Sequence, residues 1–301
     1  MSGDVAPALR SGHGARWDDQ RLSDPDTRPL GEHLVELGAL RPTDVDGVRQ
    51  WQAKSGLRFG EAAVQLGLVS QAAVQDALAQ QYHYPQLLDP FEKLSPELVM
   101  AMQPEHPLAE QLRTLRTQIV LRWRADGQPG QSLAVVSSER GDGRSFVAAN
   151  LAIAMAQMNL RTLLIDLDLR HPRLHELFGA SDRMGISSML VGRALANEVQ
   201  AVQATTLSVM ACGPRPPNPQ ELLAPATLRP VLDVLRRRFD VIVLDTTAWE
   251  GSADAQLVAA QADSTLVVVR PDHSALRETQ RMTDALHQAG ARPIGAVLNR
   301  R

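Results

Sequence analysis

Ser137-Ser-Glu-Arg-Gly-Asp-Gly-Arg-Ser145 decides how this chain is read. It follows the apolar run Leu133-Ala-Val-Val136 and opens the helical pattern Phe146-Val-Ala-Ala-Asn-Leu-Ala-Ile-Ala-Met155. Strand, glycine-rich turn and helix in that order form a phosphate cradle, because backbone N–H groups and a helix N-terminus converge on one anion. Gly141 and Gly143 let the backbone approach the phosphates, and Ser145 stands where a Mg²⁺-binding hydroxyl belongs.

Measured against the general P-loop pattern, the stretch departs twice. Ser138 occupies the place of the first glycine, and Arg144 the place of the lysine. Lys54 and Lys93 are the only lysines in the chain, so arginine here partly reflects composition. A guanidinium keeps the charge and binds bidentately, but it is longer and planar.

Around this loop the sequence alternates strands and helices. Strand-like runs are Leu133–Val136, Thr162–Ile165, Leu207–Ala211, Val241–Leu244, Leu266–Val269 and Ile294–Leu298, with helical patterns such as Leu228–Arg238 and Ala275–Ala289 between them. The alternation predicts an α/β fold of P-loop NTPase type, a mostly parallel sheet with helices on both faces. Bound triphosphate with Mg²⁺ needs carboxylates at strand ends beside the loop. Asp166 ends one apolar strand, with Asp168 two residues on, and Asp245 ends another. One such acid would be a chain turning to solvent. Two acid-ended strands beside a glycine loop favour nucleotide binding.

The 301 residues suffice for one large or two modest domains, and 44% apolar residues support a core. A net charge of −3 argues against a nucleic-acid binder. Cys212, the only cysteine, forms no intrachain disulfide, which fits a reducing cytosol. No run is long enough for a membrane span. Residues 1–27 read as a disordered arm. Residues 28–85 hold an internal repeat, in which Leu30-Gly-Glu-His-Leu-Val-Glu-Leu-Gly-Ala-Leu40 aligns with Phe59-Gly-Glu-Ala-Ala-Val-Gln-Leu-Gly-Leu-Val69. Each copy continues into a second helix, Val45–Gln52 and Val74–Gln81, giving a small helical module. Residues 86–106, punctuated by Pro90, Pro96 and Pro104, read as a linker to a nucleotide-binding domain at 107–301.

Four motifs then carry a resemblance over residues 104–301. They are Asp166-Leu-Asp-Leu-Arg-His-Pro172, Gly213-Pro-Arg-Pro-Pro-Asn-Pro-Gln-Glu-Leu-Leu223, Glu110-Gln-Leu-Arg113-Thr-Leu-Arg116, and Asn299 after Val297-Leu298. Together they resemble the bacterial tyrosine kinases (BY-kinases) that govern exopolysaccharide chain length. Gly-Asp-Gly-Arg-Ser in the loop is similar to the stand-alone kinases of methanolan-type systems, which work beside a separate membrane co-polymerase. The resemblance implies ATP and Mg²⁺ as cofactors. Gly141, Asp142, Gly143, Arg144, Ser145 and Phe146 would line the nucleotide and Asn299 would read adenine. Ser145, Asp166 and Asp245 would serve the metal, and Arg144, Asp166 and Asp168 would serve the transfer step. Glu110, Arg113 and Arg116 would mediate ring-like self-association, although from spacing alone an internal ion pair on a solvated helix reads as well. The implied partner is the cytosolic tail of the co-polymerase, which would recruit a cytoplasmic protein to the inner membrane.

The chain also departs from that family. It ends at Val297-Leu-Asn-Arg-Arg301 without a tyrosine-rich tail, and Tyr82 and Tyr84 are its only tyrosines. Asp245-Thr-Thr-Ala248 replaces the usual Asp-Thr-Pro-Pro. Two alternatives stay open: a nucleotide-gated pseudokinase scaffold, and an ATPase switch of the cell-division and partition type. Glu139, where those switches carry a signature lysine, argues against the second. The repeat module resembles the N-terminal domain of type II secretion and pilus ATPases. In one branch of those, paired copies bind cyclic-di-GMP. Arg58-Phe-Gly60, Gly67-Leu-Val69 and Ala77-Leu78 with Gln81 match that branch, whereas the first copy has Pro29 in place of its arginine and Arg49 in place of an apolar residue. Protein docking is the commoner role for such a module.

Overall fold

The structure is a computed structural model that describes residues 29–71, 73, 74, 77, 94–125, 132–192, 199–202, 205–250 and 252–300. Tyr82, Tyr84, Leu78, Gln81, the arm and the glycine-proline turn at 127–130 lie outside the described residues.

Among the described residues seven strands make one sheet: β1 (Ser132–Ser137), β2 (Thr162–Asp166), β3 (Val199–Ala201), β4 (Leu207–Met210), β5 (Val241–Asp245), β6 (Ser264–Val269) and β7 (Pro293–Leu298). Their order is β3-β4-β2-β5-β1-β6-β7. Every pairing is parallel except β3 with β4. The predicted α/β architecture is the observed one. The antiparallel edge strand β3 is additional, too short and polar to read as a strand.

The period of two along each strand divides the core between two faces. Leu133 and Val135 face a layer that includes Pro107–Ala125 and Arg144–Ala156. Ala134 and Val136 face one that includes Pro225–Arg236, Asp254–Ala259 and Leu276–Gln288. Parallel strands buried on both sides read as continuous apolar runs, which is why β1, β2 and β5 were legible. Helix Arg144–Ala156 has 12 buried residues in its 13, so it is the central helix of its layer.

Residues 94–106 correct the linker reading. Leu98, Val99 and Met100 are buried in the first core layer. The Met100 N–H donates to Asn150 Oδ1 at 3.0 Å, and Asn150 Nδ2 donates to the Glu97 carbonyl. Glu97 also pairs with Arg173. The prolines here bend a segment that packs onto the domain.

The repeat has its own core of Leu34, Leu40, Val48, Ala62, Ala63, Val69, Val74 and Ala77. Over the described residues its two copies share two features. Gly38 and Gly67 both turn through the left-handed region, at φ +68° and +67°. The first residue of each copy sits over the glycine of the other. A Cβ on Gly31 would meet the Phe59 ring at 2.9 Å, and one on Gly60 would meet Val74 at 2.6 Å and Leu30 at 3.3 Å. Helix Val45–Ser55 is as expected from sequence.

Candidate nucleotide and transfer site

The loop after β1 turns through Gly141 at φ +91° and Gly143 at φ +94°, values that L-residues rarely adopt. Gly143 precedes the helix that begins at Arg144, and the Val147 N–H bonds to its carbonyl at 2.9 Å. Sequence reading assigns Asp142 to the nucleotide. The structure instead turns its fully buried carboxylate away from the cleft and into the protein. Oδ2 accepts the Glu139 N–H at 3.0 Å, and Oδ1 meets Ser274 Oγ at 2.7 Å and His273 Nδ1 at 3.0 Å. Arg270 reaches the Gly141 carbonyl, and Glu139 Oε1 accepts the Ala275 N–H. Asp142 therefore pins the loop to the β6 end. Sequence reasoning missed Arg270, His273 and Ser274, because nothing local to them marks a site.

Arg144 is buried with 7% exposure. Its Nε donates to the Thr246 carbonyl at 2.9 Å, and its Nη1 to Ser137 Oγ at 2.6 Å and the Glu139 carbonyl at 3.2 Å. Nη2 lies 3.5 Å from Asp168 Oδ2. The protein thus fixes Nε and Nη1, while Nη2 is shared with Asp168, and both residues line the cleft described below. A lysine has a single nitrogen and could not divide its donors this way.

The carboxylates gather at the strand ends. Asp166 and Asp245 are direct partners in the β2–β5 register. Asp166 Oδ2 accepts the N–H groups of Arg173 and Leu174, both at 2.9 Å, so it caps the short helix Leu174–Phe178. Burial, then the neighbouring Asp245 charge, pushes its carboxyl well above the usual range. Asp245 is fully buried, and neither oxygen has a hydrogen-bond partner among the described residues. Burial pushes it up to about 6, against the pull of the Arg144 guanidinium. The Ser145 hydroxyl lies close enough to ease the charge without making a hydrogen bond of standard geometry. Two orphaned buried oxygens beside a hydroxyl suit a hydrated divalent cation, and Mg²⁺ is commonly held by one or two carboxylates together with substrate phosphates. Ser145, Asp245 and Asp166 are the residues that would hold it.

Asp168 Oδ1 accepts Thr247 Oγ1 at 3.1 Å and the N–H groups of Arg170 at 3.2 Å and His171 at 2.8 Å. A cleft of about 490 Å³ opens here, lined by Gly141, Gly143, Arg144, Ser145 and Asp168 on one side and by His171, Arg173, Glu176 and Arg215 on the other. Phe146 and Asn299 are elsewhere. They line a second hollow of about 530 Å³ between helix Pro107–Ala125 and the end of β7. Asn299 Nδ2 donates to the Asp142 carbonyl at 2.8 Å, joining that hollow to the loop.

Of the three residues assigned to self-association, Glu110 pairs with Arg113 at 2.9 Å. Arg113 also donates to the Pro104 carbonyl at 2.6 Å, and Arg116 to the Ala154 carbonyl at 3.1 Å. The two arginines bind within the chain, and Glu110 is the exposed member.

A glycine loop capping a buried helix, with two acid-ended strands beside it, defines a P-loop nucleotide-binding protein. The comparisons agree. The ParA family model, described as the NUBPL iron-transfer P-loop NTPase, matches residues 129–301. Tyrosine-protein kinase YwqD of Bacillus subtilis is 32% identical over 203 residues, covering 67% of this chain and 85% of that protein. The kinase domain of Escherichia coli tyrosine kinase ETK superposes with a TM-score of 0.64 at 29% identity, covering 72% of this chain and 84% of that one. The septum site-determining protein MinD of Pyrococcus horikoshii, solved with Mg-ADP, gives 0.50 at 25% identity, covering 56% and 70%. The chain belongs to the ParA-type P-loop NTPases, in the branch of the bacterial tyrosine-protein kinases. Among the described residues no helix is long and apolar enough to cross a membrane.

Proposed function

We propose that the protein is an ATP·Mg²⁺-dependent protein-tyrosine kinase that regulates exopolysaccharide chain length beside a membrane co-polymerase. The observation that carries this reading is that Arg144 and Asp168, 3.5 Å apart through Nη2 and Oδ2, line one cleft at the phosphate loop, with the buried Asp166–Asp245 pair at the ends of the adjoining strands. In a kinase the loop N–H groups cradle the phosphates, and catalysis rests on positioning and electrostatics. Adenine fits the hollow at Phe146 and Asn299, on the β6–β7 side of the loop. The acceptor tyrosine then enters from the β2–β4 side, past His171 and Arg215. Its oxygen attacks the γ-phosphorus, ADP leaves, and its proton passes to Asp168. Bound Mg²⁺ would supply charge neutralisation on the phosphates.

The proposed acceptor is a tyrosine in the cytosolic tail of the co-polymerase, with Tyr82 and Tyr84 of this chain as the other candidates. That tail would also recruit the kinase to the inner membrane. Self-association through the Glu110 helix belongs to the same proposal. The repeat module is assigned to protein docking. Cyclic-di-GMP binding there is the narrower alternative, excluded if the full chain binds none at micromolar ligand.

One observation favours a second reading. Two of the three nitrogens of Arg144 are engaged by the protein, as in a scaffold that senses nucleotide without transferring phosphate. Measuring transfer from ATP to tyrosine separates the two: a scaffold binds ATP and leaves every tyrosine unmodified.

A further inference from the structure

Two of the positions at which the site departs from the family pattern, Arg144 and Thr247, touch the same carboxylate. Arg144 approaches Asp168 Oδ2, and Thr247 donates to Asp168 Oδ1. Oδ1 already accepts the N–H groups of Arg170 and His171, which belong to its own loop. The Thr247 hydroxyl is not needed to satisfy that oxygen. What it adds is a tie from the end of β5, a different strand. Thr246 extends the tie, since its hydroxyl bonds the Val135 carbonyl of β1 at 2.7 Å while its own carbonyl holds Arg144 Nε. The two threonines thus link β1, the arginine and Asp168 in one rigid chain of contacts. Thr247 is buried with 6% exposure and Asp168 with 4%, so water competes little for these bonds.

We infer that Thr247 is a positioning residue for phosphoryl transfer, selecting Oδ2 of Asp168 as the oxygen that takes the acceptor proton. This rests on the kinase reading above. Three donors occupy Oδ1, which leaves Oδ2 as the oxygen open to a further proton. Oδ2 lies 3.5 Å from Arg144 Nη2, and both residues line the cleft. In the transfer the new bond joins the tyrosine oxygen to the γ-phosphorus, the bond from phosphorus to the ADP oxygen breaks, and the tyrosine proton goes to Oδ2. Arg144 and Thr247 act as a pair, one holding each oxygen. Without the hydroxyl the carboxylate keeps its two bonds to its own loop but loses its tie to the end of β5, and the oxygen beside Arg144 is held less firmly.

The test compares Thr247→Val, which keeps the shape and removes the hydroxyl, with Thr247→Ser, which restores it. The full-length protein is assayed for transfer from labelled ATP to a tyrosine copolymer, with the nucleotide KM measured in parallel. Thr247→Val is expected to lower kcat about tenfold and leave the KM for ATP within about twofold, with Thr247→Ser close to wild type. A merely structural role would lower both variants together or move the KM, and either result overturns the assignment. So does wild-type kcat in Thr247→Val, which leaves the kinase reading intact. ATP binding by the wild type with no tyrosine transfer would sink the kinase reading and this assignment together.

Discussion

Asp166 and Asp245 end neighbouring parallel strands in direct register, both fully buried, and only Asp166 has hydrogen-bond donors among the described residues. Two like charges placed so close in a dry site disfavour double ionisation. The fold holds them against their own electrostatics, which is the arrangement expected where a cation later shares the site.

A pH dependence follows for the metal-free protein. Asp245 rises from an ordinary 3.8 to about 6 on folding, so the folded state binds its proton more tightly. Stability is then greatest below the unfolded value and is lost as pH rises from about 4 to 6. The loss is about 3 kcal/mol for this group, from about 1.4 kcal/mol per pKa unit. Asp166 shifts in the same direction and adds to the slope. Thermal unfolding in chelator across pH 4 to 8 is expected to show this fall, and Asp245→Asn to flatten it while weakening Mg²⁺-dependent nucleotide binding.

Gly143→Ala is expected to abolish nucleotide binding. The new Cβ would lie 2.1 Å from Asn299 Nδ2, at a φ of +94°. The backbone strain alone is about 1–3 kcal/mol. Asn299→Ala added to it removes the overlap but not the strain, so rescue measured with a fluorescent nucleotide is partial.

Asp142→Ala unpins the loop from Ser274, His273 and the Glu139 N–H. Buried donors left without their charged acceptor cost about 1–3 kcal/mol. The expected result is a lower Tm and weaker nucleotide binding, whereas Ala replacing the half-exposed His273 has a smaller effect.

In the repeat, Gly60→Ala places a methyl against Val74 at 2.6 Å and Leu30 at 3.3 Å. Overpacking of this kind costs about 1–3 kcal/mol. Differential hydrogen exchange is expected to rise in residues 29–71 and to stay unchanged in β1, β2 and β5.

What the sequence makes legible here is what local order dictates. Gly141 and Gly143 between an apolar run and a helix announce the loop, and Asp166 and Asp245 announce the strand ends. The partners of Arg144 were not legible, because the Thr246 carbonyl reaches it from β5, a strand far along the chain. The inward turn of Asp142 depends on Ser274 and His273, equally remote. The prolines near Leu98 and Met100 suggest a linker, yet those side chains are buried in the first core layer and the Met100 N–H is held by Asn150, partners that only the folded domain supplies. The strand order, which puts β5 between β1 and β2 and so sets Asp245 beside Asp166, is likewise a tertiary fact.

The measurement that most directly tests the central claim is γ-phosphate transfer from labelled ATP with Mg²⁺, with and without the cytosolic tail of the co-polymerase. Asp166→Asn and Arg144→Lys serve as controls. The account predicts transfer to tyrosine that Asp166→Asn abolishes and Arg144→Lys does not raise, since lysine cannot keep the Thr246 and Ser137 anchors while reaching the phosphates. ATP binding without transfer in the wild type, with activity gained only in Arg144→Lys, would contradict it.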